Sequence, residues 1–62
     1  MHTKNEIVTL TIQDMTHEGM GVGHTEDGMA VLVPRTAVGD ELQVRLVKVN
    51  RRFAYGRIER IL

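Results

Sequence analysis

Apolar and polar residues alternate along most of this chain. Val8, Leu10 and Ile12 interleave with Thr9, Thr11 and Gln13, a period of two that predicts a half-buried strand over Ile7–Asp14. Gly19, Gly21 and Gly23 then alternate with Met20, Val22 and His24. As a strand, this puts three glycines on one face and Met20, Val22 and His24 on the other. Glycine weakens a strand but permits the bending that closing a small barrel demands. Glu26-Asp27-Gly28 follows, and Asp-Gly between two strand-like runs predicts a hairpin with a type I′ turn. Met29–Val33 is a third strand, ended by Pro34, which cannot donate to a sheet ladder. Its unbroken apolar run has no period from which faces could be assigned.

Arg35–Asp40 is a connection with turn chemistry at Gly39-Asp40. From Glu41, the side chains of Leu42, Val44 and Leu46 point one way and those of Gln43 and Arg45 the other. The phase then slips: Val47 and Val49 are apolar, Lys48 and Asn50 polar. A slip inside one strand predicts a β-bulge and strong local coiling. Asn50-Arg51-Arg52 is a turn into a fifth strand from Phe53 to about Leu62, with Ala54, Gly56 and Ile58 on one face and Phe53, Tyr55 and Arg57 on the other. No stretch has the apolar stripe and caps of a helix, and no internal repeat or low-complexity linker is evident. The pattern predicts an all-β fold, a small five-stranded antiparallel barrel of the OB or SH3 type.

Length changes the picture by subtraction. The chain has 62 residues, which fits a single domain over 1–62, with a thin core that buries only about 60% of the unfolded surface. It has no cysteine and no serine, so disulfides, a cysteine zinc cluster and thiol or serine nucleophiles are excluded. The longest apolar run, Met29–Val33, is far short of the roughly 20 residues of a membrane-spanning helix. Met1–Glu6 lacks the apolar centre of a signal peptide. The expectation is a soluble, cytoplasmic product with no membrane partner.

The formal charge is zero, but it is split along the chain. Residues 1–41 hold two basic side chains against seven acidic ones, a net of −5; residues 42–62 hold six basic against one acidic, a net of +5. That asymmetry fits a polyanionic partner for the basic part, or two halves that neutralise each other across a folded surface.

Most motifs that could carry chemistry have structural readings. Gly19–Gly23 has no helix behind it and lacks the spacing of a phosphate loop, so strand bending accounts for it. His2, His17 and His24 are too scattered for a zinc site, and each reads as an ordinary solvated histidine, with base or phosphate contact a second reading for His17 and His24. Glu26-Asp27 and Asp40-Glu41 fall in turns, where exposure should leave their pKa values ordinary. No catalytic residue, metal ligand or cofactor site is expected within the chain.

The last hairpin differs. Arg45, Lys48, Arg51, Arg52 and Arg57 surround Phe53 and Tyr55, the only aromatics. Phe53, Tyr55 and Arg57 share one face of a strand. Turned outward, the rings form a stacking platform for unpaired bases and the cations hold phosphates. Turned inward, they fill the core and Ala54 and Gly56 face solvent. The outward reading is favoured because the inward one would bury Arg57.

The segments Asp14–Gly23, Asp27–Pro34, Val38–Glu41 and Lys48–Gly56, taken in that order, resemble the TRAM domain over about residues 5–62. The resemblance implies a small OB-like barrel that binds RNA, commonly as an accessory of RNA-modifying enzymes such as uracil-C5 methyltransferases and radical methylthiotransferases. Thr16–Val22 is most similar to the domain at the N-terminus of bacterial ribosomal RNA uracil-C5 methyltransferases. It implies an rRNA or tRNA partner and a catalytic domain outside this chain that uses S-adenosylmethionine. It also implies RNA-facing roles for Lys48, Arg51, Arg52, Phe53 and Tyr55. No catalytic residue carries over. The family often has aromatic side chains where this chain has Met29 and Leu32. Stand-alone members also exist, so an RNA chaperone of cold-shock type is the alternative.

Overall fold

The computed structural model describes residues 2–62; Met1, where the expected unit begins, lies outside the described residues. Five strands form: β1 (Ile7–Met15), β2 (Gly21–His24), β3 (Ala30–Val33), β4 (Glu41–Val49) and β5 (Phe53–Ile61). They close into a barrel in the order β1-β2-β3-β5-β4. The expected wholly antiparallel barrel needs correction at one seam, because β3 and β5 pair in parallel. The reason is topological. After β3 the chain crosses to pair β4 with β1, and β5 returns antiparallel to β4. That return gives β5 the direction of β3.

Alternation sends one side of each strand inward. Leu10, Ile12, Val31, Val33, Leu42, Val44, Leu46 and Ala54 form the buried core. β3 is resolved as Val31 and Val33 inward, Ala30 and Leu32 half-buried on the outer face. The barrel is narrow enough that Gly21, Gly23 and Gly56 take inward positions as well. A methyl group on Gly21 would overlap the Thr36 hydroxyl, and one on Gly56 would overlap Val44. Gly19, expected on the same face as Gly21, instead lies before β2 in a turn, with φ +89°. The phase slip in β4 is a register jump: Leu46 pairs with Gly56 and Lys48 with Tyr55, leaving Val47 as the extra residue. Two further irregularities, which the alternation did not announce, fall between Ile12 and Asp14 of β1 and at Glu59 of β5, where Gln43 pairs with Arg60 and Val44 with Ile58.

The β2–β3 turn is not type I′. Only Gly28 has positive φ; the Thr25 N–H donates to the Met29 carbonyl and the Gly28 N–H to the Thr25 carbonyl, both at 2.9 Å. This is a type I turn closed by a left-handed glycine, the usual three-residue hairpin loop. The β1–β2 turn repeats it. Thr16 N–H donates to Met20 O at 2.7 Å and Gly19 N–H to Thr16 O at 3.0 Å. In each turn the threonine hydroxyl accepts the methionine N–H, at 3.1 Å for Met20 and 3.0 Å for Met29. The chain therefore contains a short repeat after all: Thr16-His17-Glu18-Gly19-Met20 and Thr25-Glu26-Asp27-Gly28-Met29. Threonine supplies the hydroxyl and glycine the positive φ, and the two intervening positions are free to vary.

Ahead of β1, residues 2–6 form a strap. Asn5 takes a φ of 72°, which asparagine tolerates, and its N–H donates to Leu46 O at 2.6 Å. His2 is the clasp: Nδ1 lies 2.8 Å from Glu6 Oε2 and Nε2 3.0 Å from Asp27 Oδ1.

Candidate nucleic-acid interface

Strand pairing assembles one outer face from four strands, β2, β3, β5 and β4. Val22 of β2 pairs with Leu32 of β3, Leu32 with Tyr55 of β5, and Tyr55 with Lys48 of β4. These four side chains form a row across the sheet. Beside it runs a second row, His24, Ala30 and Phe53. Ala54 and Gly56 face the interior, so Phe53 and Tyr55 lie on the outside, each half-buried by its neighbours. Their centroids are 5.4 Å apart with planes at 82°, an edge-to-face pair that holds both rings in place.

The hairpin cations divide into two groups. Lys48, Arg51, Arg52 and Arg57 are exposed and join no ion pair among the described residues. Arg45 is different: its Nη2 lies 2.7 Å from Glu59 Oε1, its Nε also donates to that carboxylate, and Nη1 reaches the Asn5 carbonyl at 3.4 Å. The pair raises the Arg45 pKa and lowers that of Glu59. Arg45 therefore faces the same side as Arg57, its register partner, with its charge already answered within the fold.

The β4–β5 turn also borders a cleft at one end of the barrel. Lys4, Lys48, Arg51 and Arg52 stand around it, with Met29 and Val49 among its apolar walls. Met29 packs against the core at this end, whereas Leu32 lies in the face itself. The strap that carries Lys4 is fixed by the His2 clasp. Asp27 is correspondingly far from an ordinary turn carboxylate: hydrogen bonds from the Thr25 hydroxyl, and then from His2, hold its pKa at about 2. Glu6 is lowered by His2 and by the Thr3 N–H. His2 is raised, first by Asp27 and then by Glu6, which replaces its expected reading as a free solvated histidine. His24 is exposed and its Nδ1 donates to Gln13 Oε1 at 2.9 Å.

Val22 and Ala30 were not among the residues singled out by sequence, and Leu32 was singled out only through the family resemblance. The unbroken Met29–Val33 run hid the phase of β3. Val22 did carry a usable signal, because glycines turned inward on either side leave the residue between them facing out.

What can this face do? Its rows offer flat or aliphatic contact to planar groups, and its border offers unpaired cations to phosphates. It has no nucleophile with an adjacent base. Comparison with known proteins agrees with that character. The family model described as the TRAM domain matches residues 2–58. Over 55 residues the chain is 46% identical to an uncharacterised RNA methyltransferase of Oceanobacillus iheyensis, covering 89% of this chain and 12% of that protein. Over 58 residues it is 45% identical to one of Lactobacillus johnsonii, covering 94% of this chain and 13% of that protein. The chain thus spans about one eighth of the length of these relatives. Among solved structures, a conserved protein of Methanococcus maripaludis superimposes with a TM-score of 0.82 at 28% identity, covering 92% of this chain and 80% of that one.

Proposed function

Because the chain belongs to the TRAM domain family, we propose that its barrel is an RNA-binding accessory module whose outer face, Val22-Leu32-Tyr55-Lys48 with Phe53 beside it, takes an unpaired stretch of RNA. Bases stack on Tyr55 and Phe53, where each stacked base contributes about 1–3 kcal/mol. Lys48, Arg51, Arg52 and Arg57 hold phosphates, with affinity that falls as salt rises. The observation that carries this reading is the register: it places both rings outward, in one patch with four unpaired cations. The relatives named as RNA methyltransferases support a parent protein of that kind; rRNA or tRNA as its substrate, a cytoplasmic location and an S-adenosylmethionine-dependent uracil-C5 methyltransferase domain outside this chain are further parts of the proposal. The module itself supplies binding and orientation; no step of methyl transfer is assigned to its residues.

One observation favours a second reading, a stand-alone RNA chaperone of cold-shock type: the matched Methanococcus maripaludis protein is little larger than the barrel. The two readings share the RNA face and differ in what it serves.

The direct experiment is a chemical-shift map of the 15N-labelled chain titrated with a uridine-rich oligomer at low salt. Shifts should concentrate on Val22, Leu32, Lys48, Phe53 and Tyr55. Absence of shifts at low salt, or shifts confined to the opposite side of the barrel, would overturn the proposal. Strand-annealing activity of the isolated chain would support the chaperone reading. Dependence of RNA methylation on this module within a full-length relative would support the accessory one.

A further inference from the structure

Arg35 holds a backbone conformation unfavourable for any side chain with a Cβ. Its φ is 64°, in the left-handed region that strains such residues. Pro34 and Arg35 are the two central residues of the turn from Val33 to Thr36, and the Thr36 hydroxyl donates to the Val33 carbonyl at 3.0 Å. Proline followed by a positive φ is the type II arrangement, whose second position glycine or asparagine fills without strain. The arginine gains no visible compensation inside the fold. It is exposed, and it joins no ion pair among the described residues. It is also one of only two cations in the first 41 residues.

Its position supplies the missing reason. β3 runs parallel to β5 with Leu32 level with Tyr55. β3 ends at Val33, and the Pro34–Arg35 turn leaves it in the direction in which β5 runs on from Tyr55 to Arg57. Arg57 shares the outer face of the rings. At the other end of the same face stand Arg51 and Arg52, immediately before Phe53. The patch therefore has cations on both sides of the aromatic rings along β5. From Arg52 to Arg57 a strand spans about 17 Å at about 3.3 Å per residue.

We infer that Arg35 is a phosphate contact, forming with Arg57 a second cationic end of the RNA face, so that the RNA runs lengthwise along β3 and β5. The inference rests on the RNA-binding reading above and adds to it a residue and a direction. Strain at the turn persists because the guanidinium is needed on that edge.

The test is Arg35→Gly, with Arg35→Lys and Tyr55→Leu alongside, titrated with a labelled decauridine at several salt concentrations between about 50 and 200 mM. Arg35→Gly should bind several-fold more weakly, with a salt slope shallower by about 0.7, the loss of one phosphate contact on a single strand. Its thermal midpoint should equal or exceed that of the wild type, because glycine relieves the strain. Arg35→Lys should keep the wild-type slope. If Arg35→Gly binds within twofold of the wild type while Tyr55→Leu is weakened, Arg35 lies outside the interface and the inference falls. A lowered midpoint in Arg35→Gly would assign the arginine to turn stability and also overturn it. No binding by the wild type at low salt would instead remove the RNA-binding reading itself.

Discussion

Tyr55 sits at the centre of the proposed face, between Leu32 and Lys48 in the row across the sheet. Tyr55→Leu removes the π surface while keeping an apolar side chain over the seam between β3 and β5. If one base stacks on this ring, about 1–3 kcal/mol is lost, which is roughly 5- to 150-fold in Kd. The cost to the fold is smaller. The edge-to-face pair with Phe53 contributes about 0.5–1.5 kcal/mol, and leucine retains part of the apolar cover. A domain of this length has a total stability of about 3–9 kcal/mol by the usual per-residue figure, so the variant should remain folded. Tyr55→Phe keeps the ring and should bind within a few-fold of the wild type. The assay is fluorescence anisotropy with oligouridine, preceded by a urea melt of each variant to confirm a folded baseline. A folded Tyr55→Leu that binds within twofold of the wild type would refute stacking at this position. Equal losses in Tyr55→Leu and Tyr55→Phe would assign the effect to the hydroxyl group instead of the ring.

Glu59→Gln should release Arg45 from its ion pair and strengthen RNA binding, with a salt slope steeper by up to about 0.7; an unchanged slope would keep Arg45 out of the interface. Gly56→Ala puts a methyl group into Val44 and within 3.3 Å of both the Arg45 carbonyl and Val31, an overpacking that should cost about 1–3 kcal/mol in a urea melt. Gly19→Ala and Gly28→Ala meet no neighbouring atom, yet both sit at φ +89°; each should lose about 1–2 kcal/mol, by similar amounts because the two turns are built alike. The strap should depend on pH from both sides. His2 is raised, so its contribution is complete below its unfolded pKa of about 6.5 and disappears as pH rises through the higher folded value. Asp27 and Glu6 are lowered, so theirs is complete above about pH 4–5 and disappears as pH falls through their folded values, about 2 for Asp27. Amide exchange over residues 2–6 should therefore be slowest between about pH 5 and 6, and a profile that is flat after correction for intrinsic exchange would refute the clasp.

The legible part of the fold was the part with an unambiguous period. β1 alternates from Ile7 to Gln13 and β5 from Phe53 to Ile58, and both strands were delimited to within a residue. The bulge in β4 could be placed because Leu46-Val47 breaks an otherwise regular alternation. The bulge in β1 was invisible, since Gln13 and Asp14 are both polar and mask the slip. Asp27-Gly28 suggested a type I′ turn because the dipeptide is common there, but turn type is set by the residues bracketing it: Thr25 and Met29 exchange the closing hydrogen bonds. The parallel seam is a property of the crossover from β3 to β4, about which local sequence says nothing. At the site, the hairpin residues lie together in sequence and could be grouped at once. Arg35 and Leu32 reach the same face only through the pairing of β3 with β5, and Arg45 was grouped with the free cations because its partner Glu59 is fourteen residues away.

Aromatic rings on the outside of a small barrel do not by themselves imply a ligand. Here the interior cannot take them. Its inward positions are filled by side chains no larger than leucine and isoleucine, and three of them are glycines. A ring at position 54 or 56 would have to occupy space already held by Val44 and Val31, where even one methyl group on Gly56 is too large. The only two rings in the chain are therefore outside by exclusion, and half-burial on the sheet surface is the best cover available to them. Exclusion does not dictate which outer strand carries them, nor what stands beside them. β1 and β4 also present outer positions, and Thr9, Thr11 and Gln43 occupy several of those. Both rings are instead on β5, next to Leu32 and Val22 and between cations that find no carboxylate, in a chain with as many acidic as basic side chains. A fold seeking only internal neutrality could have paired Arg51, Arg52 and Arg57 as it paired Arg45. Exposed cations cost the fold little when unpaired, so stability does not dictate their gathering beside exposed apolar surface; that combination suits a polyanion with planar groups, the chemistry of the proposed single-stranded RNA.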